Sequence, residues 1–580
     1  MNIRKTLQYL LGAVLVLMPL WRLASMRPVL NAIISTLVKL VNTARLQQGP
    51  LDYVMIDLPE EMPPFPEPTN PIQQRLLGEP PLSQVELEQL FRRVADDPRV
   101  TGVILRLMGL QMSLADLQNI RGSMARLRSK GKRVICYARG YDTAMYYLAS
   151  AADEIILQPG GELMTVGLAR NITFMKEALG AVGLQVDSIA ISPYKSAADT
   201  LTEQTPTPEV DAQLNWLLDD NYEQIIHGIA EGRGISPEAA RAFIDNAPYT
   251  DRQALEAGYV DALSNEEDFP TRYESEHIRV RQQAENILPL RIPLRPEKYI
   301  GVLSLEGVIV DGESQRPPRD VPVPLMGGAR LGSETVVRQV RHLMKQDDIA
   351  AVVLHINSRG GSATASEAMA AALAELATTR PVIAYMGDVA ASGGYYIATP
   401  AHWIIAQPGT ITGSIGVIMA KVIASDMLKK LNFNAVDYVR GANAQIFSPR
   451  APFSDEQRAR VRESIERIYE QFVGRVARAR GMSPEGVDEV GGGRVWTGAQ
   501  AYGHGLVDEL GDLDCALRKA RELAGLPEKT PAFLIRGKAK PIAPQVAEQF
   551  NPAAGLHYAR RNVQTLLSGR ALYWMPWQMD

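Results

Sequence analysis

Two junctions in the second half of the chain combine residue types that could perform acyl-transfer chemistry. An apolar stretch, residues 351–356, runs into the sequence Asn-Ser-Arg-Gly-Gly-Ser, and a later one precedes Ser392, which lies among small residues. Adjacent glycines let backbone N–H groups approach a ligand and face a developing negative charge. A serine where a strand gives way to a helix can expose its hydroxyl beside free N–H groups. Alone, Gly360 and Gly361 are equally typical of a tight turn, and Ser392 of a helix N-cap.

An internal repeat discriminates between these interpretations. When the sequence is shifted by 249 positions, a long stretch of the first half aligns with the second half almost without gaps. The matches include Val103 with Val352, Tyr146 with Tyr395, Ile155 with Ile404, Gln158 with Gln407, and Gly167 with Gly416. So many matches in register indicate one fold present twice, with the seam at residues 288–296.

The two copies differ where chemistry is expected. The differing pairs are Gln111-Met112 against Gly360-Gly361, Thr143 against Ser392, and Lys195 against Ala444. Each copy therefore keeps a complementary part of one site, and the lysine lies 52 positions after the serine equivalent in its own copy. We infer an ancestral single-domain site with a serine and a lysine, divided between the copies after duplication. Without the repeat, Lys195 would be interpreted as an exposed loop lysine.

Alternating strands and helices must position these residues. In the second copy, strand-like apolar runs alternate with stretches of helical spacing. The predicted strands are residues 299–305, 351–356, 381–385 and 403–406, and the predicted helices are residues 333–345 and 365–378. This alternation predicts βαβ units with mostly parallel sheets, so the predicted fold class is α/β, duplicated in tandem.

The motifs resemble those of the signal peptide peptidase A family of serine peptidases, in its long, duplicated, membrane-anchored form. The resemblance covers residues 53–526 and rests on AASGGYY around Ser392, SRGGS at 358–362, TGSIG around Ser414, and YKSA around Lys195. The family usually has proline where Arg359 stands. We expect this departure to be tolerated because the backbone, and not the side chain, acts at this turn. The resemblance implies a fold related to the Clp protease and crotonase superfamily.

The resemblance also implies roles for individual residues. Ser392 would be the nucleophile, Lys195 the general base, Gly361 and Gly393 the N–H donors of the oxyanion hole, and Ser414 the residue that orients the lysine. A lysine can act as a base only when neutral, yet its reference pKa is about 10.4. Lowering that pKa by about 3 units requires about 4 kcal/mol of destabilisation of the ammonium, for which burial is the expected source.

Charge and composition exclude other classes of protein. The 61 basic and 65 acidic side chains give a net charge of −4, which provides no basic surface for a nucleic-acid partner. Two distant cysteines and seven scattered histidines offer no metal-binding spacing and no disulfide framework, so we expect no metal and no cofactor.

The N-terminal arm carries an apolar run at residues 6–21 and a second apolar stretch at residues 28–38. We expect the first to be a single membrane anchor, with a cleaved signal peptide and an amphipathic docking arm as the alternatives. Charge alone does not orient the arm. The predicted organisation is an anchor arm at 1–50, a first peptidase-like domain with the lysine at 51–287, a linker at 288–297, a peptidase domain with the serine at 298–535, and a tail at 536–580.

The function implied by the resemblance is endopeptidase degradation of cleaved signal peptides and other apolar peptides. It also implies an inner-membrane homotetramer whose catalytic domains lie on the extracytoplasmic side. A crotonase-like acyl-CoA enzyme and a non-catalytic membrane scaffold remain as alternatives. The aromatic tail around Tyr573, Trp574 and Trp577 could lie at a membrane interface, form a subunit contact, or be an ordinary packed tail.

Overall fold

The chain forms two compact units. The computed structural model describes residues 27–67, 80–292, 294, 296–315, 329–535 and 572–574. Among these, the first unit comprises the residues up to Ala169 together with Asn221–Lys298, and the second comprises Arg170–Asp220 and the residues from Tyr299 onward. The segment Arg170–Asp220, which the repeat assigns to the first domain, is thus part of the second unit.

The first unit is built on a six-stranded sheet whose pairs are all parallel. In spatial order its strands are Ile278–Val280, Tyr53–Leu58, Gly102–Leu107, Arg133–Ala138, Glu154–Leu157 and Ala262–Leu263. A small second sheet joins Tyr141–Asp142, Glu162–Met164 and Tyr249–Thr250.

Helices cover this sheet, as the apolar spacing of their sequences requires. In the helix Gln84–Asp96, the buried residues Leu87, Leu90, Phe91 and Val94 form one face, and Ser83 with Glu86 forms a capping box that fixes the start. The other helices of the unit are Leu114–Arg128, Thr143–Ala149, Pro237–Asp245, Asp251–Glu256, Phe269–Arg272 and Arg281–Ala284, with a 3-10 turn at Glu266–Asp268.

The N-terminal helix, Arg27–Leu46, packs along the first unit. The predicted anchor at residues 6–21 lies outside the described residues. Within the described part, one helix, Pro28–Leu46, is long and apolar enough to cross a membrane by length and composition. Its residues Leu30 and Ile34 are buried, and the Arg45 guanidinium donates to the Leu288 carbonyl at 2.7 Å. This helix therefore has one face on the domain, while Leu40 on another face is exposed.

The second unit has a larger, mostly parallel sheet. In spatial order its strands are Val495–Thr497, Ile411–Gly413, Val382–Ala391, Ile349–Ser358, Tyr299–Glu306 and Ala532–Leu534, with Trp403–Ala406 and Glu509–Leu510 branching from Val382–Ala391. Only the first pair in this order is antiparallel. The helices are Lys176–Ala181, Asp199–Thr202, Pro208–Arg233 (of which the part from Asn221 belongs to the first unit), Ser333–Met344, Ala363–Ala377, Gly393–Ala398, Ser425–Lys430, Asp455–Arg480, Pro484–Val490, Gly498–Gly503 and Leu513–Leu523.

A further six-stranded sheet in this unit contains Gly361. Its order is Arg330–Gly332, Val308–Val310, Gly360–Ser362, Leu572–Trp574, Ile418–Ile423 and Gln185–Ala190. We call Gly360–Ser362 the glycine strand and Leu572–Trp574 the tail strand. Parallel sheets alternating with helices in both units confirm the predicted α/β class.

Candidate active site

Ser392 lies at a strained junction between a strand and a helix. The strand Val382–Ala391 ends directly before it, and the helix Gly393–Ala398 begins directly after it. Its backbone has φ 56° and ψ −115°, a conformation that costs a non-glycine residue about 1–3 kcal/mol and persists only where its surroundings hold it. The Ser392 N–H donates to the Gly413 carbonyl at 2.8 Å. The side chain makes no capping hydrogen bond, so the N-cap interpretation does not describe its hydroxyl.

Lys195 reaches this serine from the segment that follows the strand Gln185–Ala190. The Lys195 Nζ lies 2.8 Å from Ser392 Oγ, 2.9 Å from the Ser414 carbonyl oxygen and 2.9 Å from Ser414 Oγ. The side chain is 1% exposed, which excludes the interpretation as an exposed loop lysine. Burial lowers the pKa of the Lys195 ammonium well below its ordinary value of 10.5.

Two glycines make room for the lysine stem. A Cβ atom on Gly493 would lie 2.6–2.7 Å from the backbone N, Cα and Cβ of Lys195, and one on Gly416 would lie 3.1 Å from Lys195 Cδ. Gly493 has φ +91°, which favours glycine independently of the contact. The Ser192 hydroxyl donates to the Gly492 carbonyl and ties the lysine segment to the turn at residues 491–493, which we call the glycine turn.

The glycines at 491–493 are functional residues that the motif analysis missed. The signal was present in the sequence as three consecutive glycines, which no motif in the resemblance includes. In the structure the Gly493 N–H donates to the Ile415 carbonyl at 2.7 Å, and the Ser414 N–H donates to the Arg494 carbonyl at 2.6 Å. The glycine turn therefore contacts both the Ser414 segment and the lysine segment.

Aromatic rings support the residue before the lysine. The ring of Tyr194 lies 5.8 Å from that of Trp216, which stacks on Trp496 at 4.9 Å. The Arg494 guanidinium lies 4.2 Å from the centre of the Tyr194 ring, a cation–π contact. These large side chains pack against the residue before the lysine.

The glycine strand brings the predicted oxyanion residues together. A Cβ atom on Gly393 would lie 3.3 Å from the Gly361 nitrogen and 3.1 Å from Gly360 Cα, so the two backbones approach closely only because both positions lack side chains. Gly393 is the first residue of its helix, where an N–H has no intrahelical acceptor. The turn before the strand is held by Ser358, whose hydroxyl donates to the Gly307 carbonyl at 2.7 Å and accepts from the Gly360 N–H at 3.2 Å.

The equivalent positions of the first copy are arranged differently. Thr143 follows Asp142, whose carboxylate caps the helix by accepting from the Met145 N–H at 2.8 Å. The Thr143 hydroxyl donates to the Gly167 carbonyl at 3.1 Å. Buried Thr165, the counterpart of Ser414, has no hydrogen-bond partner for its hydroxyl. The first unit therefore keeps the framework of the site. Among its described residues, no amine donates to the Thr143 hydroxyl.

The site residues include none of the usual metal ligands. Within the ranges that the structure describes, no group of three or more His, Cys, Asp and Glu side chains could hold a metal ion. All five predicted site residues lie in the second unit: Ser392, Lys195, Gly361, Gly393 and Ser414. A buried amine with a lowered pKa beside a strained serine hydroxyl, at the start of a helix, is suited to nucleophilic attack on a carbonyl.

Comparison with known proteins gives matches over most of the chain. Peptidase family S49 matches residues 126–279 and again residues 374–527, so the duplication appears in the family match itself. The chain is 30% identical over 466 residues to "Serine protease SPPA, chloroplastic" of Arabidopsis thaliana, covering 78% of this chain and 68% of that protein. It is 31% identical over 463 residues to "Protease 4" of Salmonella typhi, covering 77% of this chain and 73% of that protein. "Protease 4" of Haemophilus influenzae is 30% identical over 476 residues, covering 77% and 74%. These matches confirm the resemblance read from the motifs.

Proposed function

The chain belongs to peptidase family S49 and is a serine peptidase, and from this premise we propose that it cleaves peptides with a Ser392–Lys195 dyad. The observation that carries the proposal is the 2.8 Å distance between Lys195 Nζ and Ser392 Oγ in a buried site. That distance is within the range a general base needs to take the hydroxyl proton. The intact pair also argues against a decayed scaffold, and an acyl-CoA enzyme of the crotonase type has no need of it.

A neutral Lys195 amine can engage all three of its oxygen neighbours. It has two N–H donors and one lone pair, for the Ser392 hydroxyl, the Ser414 carbonyl and the Ser414 hydroxyl. The Ser414 carbonyl can only accept, so it takes one N–H. If Ser414 Oγ accepts the second, the lone pair faces the Ser392 hydroxyl. Ser414 thereby orients the base.

The chemical steps follow from this arrangement. The Ser392 hydroxyl passes its proton to the Lys195 lone pair as Oγ attacks the scissile carbonyl, and the resulting oxyanion accepts hydrogen bonds from the Gly361 and Gly393 N–H groups. The Lys195 ammonium then protonates the departing amine, which leaves an ester on Ser392. In the second half, Lys195 removes a proton from water, which attacks the ester, and the proton returns to Ser392 Oγ as the acid product leaves.

Covalent labelling tests the dyad independently of the natural substrate. We expect a serine-reactive fluorophosphonate to label the wild-type chain, and the Ser392→Ala and Lys195→Ala variants to lose both labelling and peptide hydrolysis while their thermal unfolding remains cooperative. Thr143→Ala is the matched control for Ser392→Ala, because it places alanine at the equivalent position of the first copy. This control should keep nearly full activity. Wild-type turnover in either dyad variant would refute the assignment, and a large loss in Thr143→Ala would remove the repeat as its support.

The substrates we propose are cleaved signal peptides and other apolar, extended peptides at the inner membrane. The support is the motif resemblance together with the apolar N-terminal region. Because the helix Arg27–Leu46 buries Leu30 and Ile34 in the first unit, the run at residues 6–21 is the better candidate for the single anchor. We also propose, from the resemblance, that the catalytic units lie on the extracytoplasmic side.

We propose a homotetramer in which copies join end to end, and the repeat supports how they would join. In the second unit, the strand Gln185–Ala190 of the first copy pairs antiparallel with Ile418–Ile423 of the second copy. The shift of 249 maps these strands onto residues 434–439 and 169–174, which are not paired as strands in the structure. A neighbouring chain could supply the missing partner to each, and repetition of that contact closes a ring.

The exposed side chains at these positions fit a contact surface. Val436 is 74% exposed and Tyr438 92% exposed, and Val166 and Leu168 are exposed beside the other segment. Apolar exposure of this kind is typical of an interface between subunits. Light scattering should give a tetramer mass for the wild type and a smaller mass for Val436→Asp/Tyr438→Asp, whereas the polar control Asn443→Asp should stay tetrameric. An unchanged mass in the double variant would remove this contact.

A further inference from the structure

A buried cluster of charged side chains holds the strand that leads to Lys195. In the antiparallel pairing of Gln185–Ala190 with Ile418–Ile423, Asp187 lies opposite Lys421. Both side chains are buried, Asp187 at 9% exposed and Lys421 at 2%. The strand ends only five residues before Lys195. The way this strand pairs therefore governs where the lysine lies.

The Asp187 carboxylate accepts hydrogen bonds from two donors at the start of the helix Asp455–Arg480. The Arg458 guanidinium donates to Oδ1 at 2.6 Å, and the Phe453 N–H donates to Oδ2 at 2.7 Å. The same guanidinium donates to the Ser188 carbonyl at 3.2 Å. The start of a helix also favours an anion. The strand is thus attached to this helix through a side chain, in addition to its main-chain pairing.

Lys421 has partners of its own. Its Nζ donates to the Ile446 carbonyl at 2.9 Å and lies 4.0 Å from the centre of the Phe453 ring, a cation–π contact. Two opposite charges that face each other across the strands therefore each have specific partners in the observed register.

Main-chain pairing alone does not specify this register. A shift of the strand by two residues would preserve the pattern of main-chain hydrogen bonds and the faces of the side chains. It would place Asp187 opposite Met419 or Ile423, both buried and apolar, and away from its two donors. Because each strand residue spans about 3.4 Å, the shift would displace the end of the strand by about 7 Å. Lys195 would then lie too far from Ser392 to take its proton.

The other copy of the fold lacks the charged pair. The shift of 249 maps Asp187 onto Val436 and Lys421 onto Ile172, both apolar. The two copies thus differ here as they do at the dyad. The charged pair is present only on the strands that place a catalytic base.

We propose that Asp187 and Arg458 are positioning residues for Lys195. Their pair sets the register of the strand Gln185–Ala190, and that register places the amine beside Ser392. This inference rests on the proposed dyad. A buried carboxylate that loses its partners disfavours the shifted registers about 100- to 5000-fold, a preference that a neutral side chain does not provide.

Disulfide trapping reads the register directly. Ser188 lies opposite Ala420, and a two-residue shift would place it opposite Ile418 or Val422. Cysteines at opposite positions are close enough to be bridged, whereas the diagonal positions, about 7–8 Å apart, are not. With Asp187 intact, we expect a bridge in Ser188→Cys/Ala420→Cys and none in the two shifted pairs. After Asp187→Ala, one of the shifted pairs should be bridged in about half of the molecules or more, as read by mass spectrometry of peptides.

Asp508 provides a matched control. Its carboxylate is bound by an arginine of the same helix, Arg480, at 2.7 and 2.8 Å, and accepts from the Ile404 N–H at 2.8 Å. Asp508→Ala should lower the thermal unfolding temperature as Asp187→Ala does, but it should give no shifted bridge. Arg458→Lys, which keeps the positive charge, should retain the register that Arg458→Ala loses.

Activity separates positioning from folding. Because a shifted chain is inactive, the kcat of Asp187→Ala for a short fluorogenic peptide should fall about twofold or more at unchanged KM. The bridge between residues 188 and 420, which locks the observed register, should restore that kcat. A loss of kcat with no shifted bridge and no rescue by the lock would overturn the positioning role, as would a wild-type kcat in Asp187→Ala. A shifted bridge in Asp187→Ala, with no hydrolysis by the wild-type chain, would uphold the register and reject the dyad.

Discussion

Replacing Gly493 by alanine should displace the general base, Lys195, while leaving the lysine side chain itself unchanged. The new Cβ would lie 2.6–2.7 Å from the backbone N, Cα and Cβ of Lys195, whereas ordinary contact begins at 3.4 Å. The lysine segment or the glycine turn must therefore move by about 1 Å. A misplacement of about 1 Å in a catalytic group costs about 100-fold in rate, or about 2.7 kcal/mol in the activation free energy.

A second glycine separates this displacement from backbone strain. Gly312 has the same φ of +91° as Gly493, but a Cβ there meets nothing within 4 Å. Gly312→Ala therefore carries the cost of the left-handed conformation alone, and Gly493→Ala carries that cost and the contact. The assay is the kcat for a short peptide, together with the rate of fluorophosphonate labelling at Ser392.

The expected result is a loss of about 100-fold in kcat for Gly493→Ala, with KM little changed and Gly312→Ala close to wild type. If the kcat of Gly493→Ala stayed within about threefold of that of Gly312→Ala, the glycine turn would not be what holds Lys195 in place.

Two further outcomes follow from the surroundings of Lys195. Because burial lowers its pKa below the 10.5 of the unfolded chain, the unfolded state binds the extra proton between those two values. The free energy of unfolding, measured by chemical denaturation, should therefore rise with pH across that window in the wild type, and Lys195→Met should lack this rise. An identical dependence of the unfolding free energy on pH in both chains would contradict a neutral lysine. Ser414→Ala removes one of the hydrogen bonds to Nζ at a cost of about 1–3 kcal/mol, so kcat should fall about 5- to 150-fold at constant KM, with Ser414→Thr restoring it. A change confined to KM would count against an orienting role.

The repeat made the site predictable because the chain contains two copies of one fold that differ at the functional positions. Framework residues such as Tyr146 and Tyr395 agree between the copies, and both are buried. Ser392 and Lys195 are where the copies disagree, so the sequence alone pointed to them, and the structure brings them to hydrogen-bond distance. Their catalytic roles stay predictions until variants are assayed.

What the sequence could not supply depends on contacts between distant segments. The assignment of Arg170–Asp220 to the second unit follows from packing and strand pairing with Ile418–Ile423, which local patterns do not encode. The need for glycine at 493 arises only from the approach of Lys195, nearly three hundred positions earlier in the chain. The pairing of the tail strand uses main-chain groups, which carry no sequence signal.

The placement of Lys195 also governs when the enzyme can first act during its own synthesis. A solvated lysine has a pKa of about 10.4 and is a cation at neutral pH, which makes it useless as a base. The groups that bury this one, Ser414, Gly416 and Gly493, all leave the ribosome long after it does. A nascent chain therefore carries an inert ammonium until its last domain closes around it. We therefore expect no peptidase activity from a nascent chain until the residues up to Gly493 have been synthesised.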